Sequence, residues 1–170
     1  MKTLNETKRL TLTAVLMAMN IALSSFGVPV PGGHFYLNDI VICTAGLILD
    51  PFAAFLVGGV GAFIGDLIFY PTPMFVSLAT HGLQAVVISL IAHKKTGKPI
   101  VNAWIAVLIG AVIMVTGYTL GRAFLYSTPE YAILKLPYQI TQALIGAAVS
   151  VVLAFKFKIK LTAERWFGLC

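Results

Sequence analysis

Two sets of residues in this sequence have the types and spacing to do chemistry. Ser77, His81 and Gln84 recur at i, i+4 and i+7 within the stretch SLATHGLQAVVISLIAHKK. Farther on, Gln139, Gln142 and Gly146 recur at i, i+3 and i+7. On a helix each set lies on one face, and Gly146 leaves room beneath the two amides. An imidazole and primary amides offer donors and acceptors without a fixed charge. That chemistry suits reversible recognition of a small neutral or zwitterionic heteroaromatic solute with ring nitrogens and hydroxyls. Catalysis would ask for more. The sequence has no G-x-S-x-G elbow, no HExxH pair and no carboxylates paired on one helix. It also lacks a GxxxxGK[ST] phosphate loop. Ser77 is the only nucleophile on the His81 face, so a small membrane-embedded enzyme is an alternative without a motif behind it.

The elements that carry these residues are apolar throughout. Of 170 residues, 59% are hydrophobic and 11% charged, with a mean hydropathy of +0.93. Soluble domains carry about 25% charged residues, so this composition describes a polytopic membrane protein in a lipid bilayer, one all-α domain over 1–170. The net charge of +6 does not indicate nucleic acid, because ten of the twelve basic residues fall in three short flanks. These are Lys2, Lys8 and Arg9; Lys94, Lys95 and Lys98; and Lys156, Lys158, Lys160 and Arg165. Spans are expected near 10–27, 36–49, 51–70, 74–93, 100–125 and 136–155. Six spans put both termini and all three flanks on the cytoplasmic side, as the positive-inside rule requires. The pieces on either side of Asp50-Pro51 are short for full crossings, and a re-entrant hairpin is their alternative. VPVPGGHFYLND reads as a loop and STPEY as another.

With that topology, the polar residues of the spans gather in the outer half. His81 and Gln84 lie about 10 to 15 Å down at 1.5 Å per residue. Asn20 reaches a similar depth. Asp39, Asp66, Tyr118, Arg122, Gln139 and Gln142 lie near the outer ends, with the roles of Asp39 and Asp66 open between structure and ligand. An isolated polar residue such as Asn20 can be interhelical glue; several at one depth indicate a cavity open to the outside. The first loop brings His34 and Tyr36 as a stacking lid, and Asn38 joins them at the entry to the next span. A channel or other non-transporting assembly would carry polar residues through both halves. Gly61-x-x-x-Gly65 and Gly117-x-x-x-Gly121 read as close helix packing. Ala14, Ala18 and Ala22 form a small-residue stripe on span one, about 200° from Asn20. If Asn20 faces inward, the stripe faces a partner. Cys43 and Cys170 make no disulfide framework or metal spacing, and the Asn5-Glu6-Thr7 sequon falls on the basic, cytoplasmic side.

Three stretches resemble the S components of energy-coupling factor transporters, the substrate-capturing subunits of bacterial vitamin importers. They are the Ala14-x-x-x-Ala18 stripe, YLNDIVICTAGLILDPFAAFLVGGVGAFIGDLIFYPTP, and THGLQ, which sits where related S components have a KGLEG-like sequence. The resemblance covers nearly the whole chain and implies a multi-pass protein of the bacterial cell membrane. It implies a vitamin held near the outer face by spans four to six, with the first loop closing over it. His34, Tyr36, Asn38, His81, Gln84, Tyr118, Arg122, Gln139 and Gln142 are the corresponding candidate contacts here. It further implies docking of the alanine face on a transmembrane coupling protein driven by two cytoplasmic ATPases. The subunit then topples to carry its pocket inward, binding no cofactor of its own. The subgroup is similar to members assigned to hydroxymethylpyrimidine, pyridoxine or riboflavin, and a carboxylate substrate is open through Arg122.

Overall fold

The computed structural model describes residues 2–94 and 97–167; Lys95 of the second basic flank and the terminal Cys170 lie outside them. Helix α1 runs Lys2–Ser24, longer at its start than the expected span. A two-stranded antiparallel hairpin follows, β1 (Val28–Val30) and β2 (Gly33–Phe35), where the sequence suggested an irregular loop. Val28 pairs with Phe35, Pro29 with His34 and Val30 with Gly33. The turn between the strands needs Gly32, whose φ of 81° lies in the left-handed region. A Cβ there would also come within 2.9 Å of the Tyr131 carbonyl oxygen and the Lys135 nitrogen, so only a glycine lets the hairpin tip rest on the helix below.

Helix α2 (Asn38–Ile48) has eleven residues, about 16 Å against a hydrocarbon core of about 30 Å. It is thus shorter than the expected 36–49 span. Asp50 then caps α3 (Pro51–Phe55), accepting from the backbone of Phe52 and Ala53 at 3.2 and 3.3 Å, with Pro51 at the first helical position. The same carboxylate pairs with Arg9 of α1 at 2.5 Å. The rod continues through a π-helical segment, Leu56–Val60, into α4 (Gly61–Phe69). Helices α5 (Met74–Ala92) and α6 (Pro99–Gly121) follow, α6 ending in a second π-helical segment, Arg122–Tyr126.

Helix α7 spans Pro129–Phe155, starting seven residues before the expected 136. The STPEY stretch is a helix start: Thr128 caps, Pro129 fits the first turn, and Glu130 follows at the positive end of the dipole. Pro137 is carried within the helix, where its missing N–H is tolerated. A short amphipathic helix, α8 (Ile159–Phe167), was not anticipated; it packs against α1, α2 and α7. Its Ile159 and Ala163 turn to the core while Lys160 and Arg165 stay exposed or half-buried.

Among the described residues, four helices are long and apolar enough to cross a bilayer: Pro51–Phe69, Met74–Ala92, Pro99–Tyr126 and Pro129–Phe155. Much of their surface is bare Leu, Ile, Val and Phe, as a lipid-facing exterior requires. The chain is therefore a multi-pass, mostly helical membrane protein.

Small residues set the helix spacing. Gly61 and Gly65 face Asn20 and Ser24 of α1, and Gly117 and Gly121 face Thr80 and Val76 of α5. A Cβ on Gly65 would sit 2.5 Å from Ser24 Oγ and 2.8 Å from its Cβ, a contact that only separating α1 from α4 relieves. Gly65→Ala is expected to cost about 1–3 kcal/mol by overpacking, read as a lower thermal midpoint in detergent. An unchanged midpoint would mean that α1 moves freely against α4.

Candidate binding site

A cavity of ≈ 250 Å³ lies between the hairpin, α4, α5, α6 and α7. Eight of the nine expected contacts line it: His34, Tyr36, Asn38, His81, Tyr118, Arg122, Gln139 and Gln142. Gln84 does not. Its side chain turns into the protein behind His81, where Nε2 donates to Asp39 Oδ1 at 3.1 Å and reaches Cys43 Sγ at 3.6 Å. Asn20 also stands off the wall; its Nδ2 donates to the Val57 carbonyl at 2.7 Å, tying α1 to the first π-helical segment. Its side chain is helix glue.

The wall is braced from behind by a buried network. Asp39, 1% exposed, accepts from Gln84 on one oxygen and from Gln142 Nε2 on the other at 2.7 Å. Gln142 Oε1 in turn accepts from the backbone N–H of Tyr36 at 3.0 Å, so the hairpin's exit is fastened to α7 and α2 together. Close approach of α2 and α7 depends on Gly146, where a Cβ would come within 2.6 Å of Asp39 Cβ. His81 Nδ1 lies 2.7 Å from Gln84 Oε1. Because that oxygen only accepts, Nδ1 carries the proton. Nε2 is left without a partner among the described residues, on a ring that lines the cavity. That ring edge is available to a bound molecule.

Sequence reasoning left several lining residues unassigned, among them Asp66, Lys135 and Tyr126. Asp66 lines the cavity from α4, with one carboxylate oxygen bonded by Ser77 Oγ; that hydroxyl accepts from Tyr118 OH at 2.5 Å. Lys135 lines it from the early turns of α7, its Nζ donating to the His34 carbonyl. Tyr126, from the second π-helical segment, sits 5.6 Å beneath the Arg122 guanidinium. Asp66 was visible as a polar residue in a span. Lys135 was visible only as a charge between two leucines, outside the three basic flanks and just before the expected span six.

The lid is aromatic. His34 stacks edge-on against Tyr70 at 5.7 Å and lies 6.1 Å from Tyr36. Burial, aided by the charge of Asp66 and by Tyr70, pushes the Tyr36 phenol up to about 12, so it presents an O–H at neutral pH. Among the described residues, three lining the cavity have buried polar atoms without a partner: His34 Nδ1, Asn38 Oδ1 and Tyr126 OH. Buried groups left unsatisfied are costly unless a bound molecule completes them. The site can hold one flat polar ring by hydrogen bonds and stacking, and it has no nucleophile–base pair aimed into it among the described residues.

Comparisons with known proteins agree with this geometry. The chain is 31% identical over 152 residues to the thiamine precursor transporter HmpT of Lactococcus lactis subsp. cremoris (strain MG1363), covering 86% of each chain. It is 25% identical over 146 residues to an uncharacterized protein in a gap 3'region of Pyrococcus woesei, covering 85% of this chain and 97% of that one. The family described as "ECF-type riboflavin transporter, S component" matches residues 4–160. With its helical membrane fold and solute-sized cavity, the chain belongs to this family of ECF transporter S components.

Proposed function

We propose that this chain is the high-affinity capture subunit of an ECF-type importer for a monocyclic vitamin or precursor, hydroxymethylpyrimidine or pyridoxine before riboflavin. The cavity carries this reading. At ≈ 250 Å³ it falls just below the roughly 300–1,000 Å³ of pockets for drug-sized ligands, a size that favours one ring over a fused tricycle. Its wall of amides, imidazole and phenols matches hydroxyls and ring nitrogens. The relationship to a protein named as a thiamine precursor transporter points the same way.

In this reading α1 and α2 complete a six-span bundle with both termini in the cytoplasm of a bacterial cell. The Arg9–Asp50 pair and the packing of α8 on α1, α2 and α7 support it, because they gather the first and third basic flanks at one end. The hairpin and cavity lie at the other. Ala14, Ala18 and Ala22 are all exposed on α1, available for a transmembrane coupling protein. ATP is used by two cytoplasmic ATPase partners, and toppling of the subunit carries the site inward. Native mass spectrometry of the detergent-purified chain should show one co-purified small molecule, or one bound from a panel of hydroxymethylpyrimidine, pyridoxine, thiamine and riboflavin without ATP. Absence of any bound mass from both experiments would sink the capture reading.

A further inference from the structure

Three charged side chains line the cavity, Asp66, Arg122 and Lys135, yet no ion pair joins them among the described residues. Each is held by a neutral group instead. Asp66 Oδ2 is bonded by Ser77, itself bonded by Tyr118. Arg122 Nη1 donates to Gln139 Oε1 at 3.0 Å, and Gln139 is anchored through Nε2 to the Val115 carbonyl at 2.8 Å. Lys135 donates to the His34 carbonyl. These braces fix position without neutralising charge. The second oxygen of Asp66 and most N–H groups of the two cations remain without partners among the described residues.

The charges are also sorted in space. Both cations flank the hairpin tip: a Cβ on Gly33 would lie 3.6 Å from Arg122 Nη2 and 3.9 Å from Lys135 Cδ. Asp66 is held instead by Ser77 of α5, whose hydroxyl also accepts from Tyr118 of α6, and pairs with neither cation among the described residues. Opposite charges in a poorly solvated cavity gain by closing on each other, and here the amide and hydroxyl braces hold them apart.

We infer that the cavity selects a basic nitrogen heterocycle bound with its ring nitrogen protonated, the ring N–H donating to Asp66 and an oxygen substituent on the far edge accepting from Arg122 and Lys135. This rests on the capture reading above and sharpens its substrate class. A 3-hydroxypyridine fits as its ring zwitterion, pyridinium toward the carboxylate and phenolate toward the cations. A 4-aminopyrimidine protonated at N1, with a hydroxymethyl arm, fits with its N1–H on Asp66, taking the proton from solvent. The tricyclic flavin ring has no nitrogen that protonates near neutral pH, so it leaves the charge of Asp66 uncompensated.

Calorimetric titration of the full-length, detergent-purified chain tests this with pyridoxine and hydroxymethylpyrimidine, each beside the analogue with C–H in place of the ring nitrogen. At least one of the two heterocycles should bind and lose about 30-fold in affinity with its C–H analogue, the worth of a charge-assisted hydrogen bond. Asp66→Asn should lose about as much, and the two changes together no more than either alone. A second arm does not depend on the folding of that variant: Lys135→Met should weaken pyridoxine more than its 3-deoxy analogue. Additive losses, an Asp66→Asn protein of unchanged affinity, equal Lys135→Met losses for both analogues, or binding of riboflavin but neither heterocycle would each overturn the charge-sorted site while leaving capture intact. Failure to bind any vitamin of the panel would overturn the capture reading itself.

Discussion

Asp39→Ala should lower the thermal midpoint in detergent and cost about 3 kcal/mol of stability, with ligand affinity falling about 100-fold alongside it. The carboxyl group is 1% exposed and is the shared acceptor for Gln84 of α5 and Gln142 of α7. Two average interhelical hydrogen bonds in a bilayer would be worth only about 1 kcal/mol together. The larger figure follows because alanine removes both acceptors at once and leaves the N–H groups of two buried amides without their carboxylate partner. Loss of the ligand follows by geometry. Gln142 holds the backbone of Tyr36, and Gln84 fixes the proton on His81; freeing both loosens the lid and the imidazole. Chemical unfolding and ligand titration of the same variant separate the possibilities. A normal midpoint with lost binding would show Asp39 to be a ligand contact and not a brace.

Asp39 and Asp66 also mark where sequence stops being informative. Both are carboxylates near the outer ends of spans, and nothing in their local spacing separates them. Their roles diverge through tertiary partners. Asp39 faces Gly146, the one glycine of α7, where a Cβ would collide with it, whereas Asp66 sits half-buried on the cavity wall. Gln84 makes the same point. The helical repeat correctly puts it near His81, but a three-residue step on a helix also rotates it by about 60°, enough to turn the side chain from the cavity to Asp39.

The gathering of His34, Tyr36, Asn38, His81, Tyr118, Arg122, Gln139 and Gln142 on one cavity was legible because polar residues in an apolar chain are few and depth can be counted along each span. The role of Lys135 was hidden by the misplaced start of α7. Read as a loop, STPEY starts the helix seven residues late; read as Thr-cap, Pro and Glu, it starts the helix early enough to place Tyr131 and Lys135 over the cavity. The hairpin was similarly masked. Its strands are three residues each, too short for an alternating pattern to stand out from a Pro- and Gly-rich loop.

Ala18→Trp should abolish vitamin uptake by the reconstituted transporter while leaving ligand affinity within about twofold, as a change on an exposed face does. The reason lies in how α1 is keyed to the bundle. Thr13, Leu16, Asn20 and Ser24 are buried on one side, while Ala14, Ala18 and Ala22 are exposed on the other. That rotation is locked. Asn20 holds the Val57 carbonyl at 2.7 Å, and Gly61 and Gly65 close directly on Asn20 and Ser24. An indole at position 18 therefore projects away from the cavity and cannot disturb the His81 or Asp39 network. What it does prevent is the close backbone approach that a stripe of small residues permits between helices in lipid, where packing and not hydrophobicity drives association. Ligand titration in detergent and uptake into proteoliposomes holding the whole transporter read the two effects separately. Uptake that survives would move the docking surface off α1. Lost ligand binding would mean instead that α1 turns its alanines inward in the bilayer, breaking the Asn20 and Gly65 contacts that fix its face.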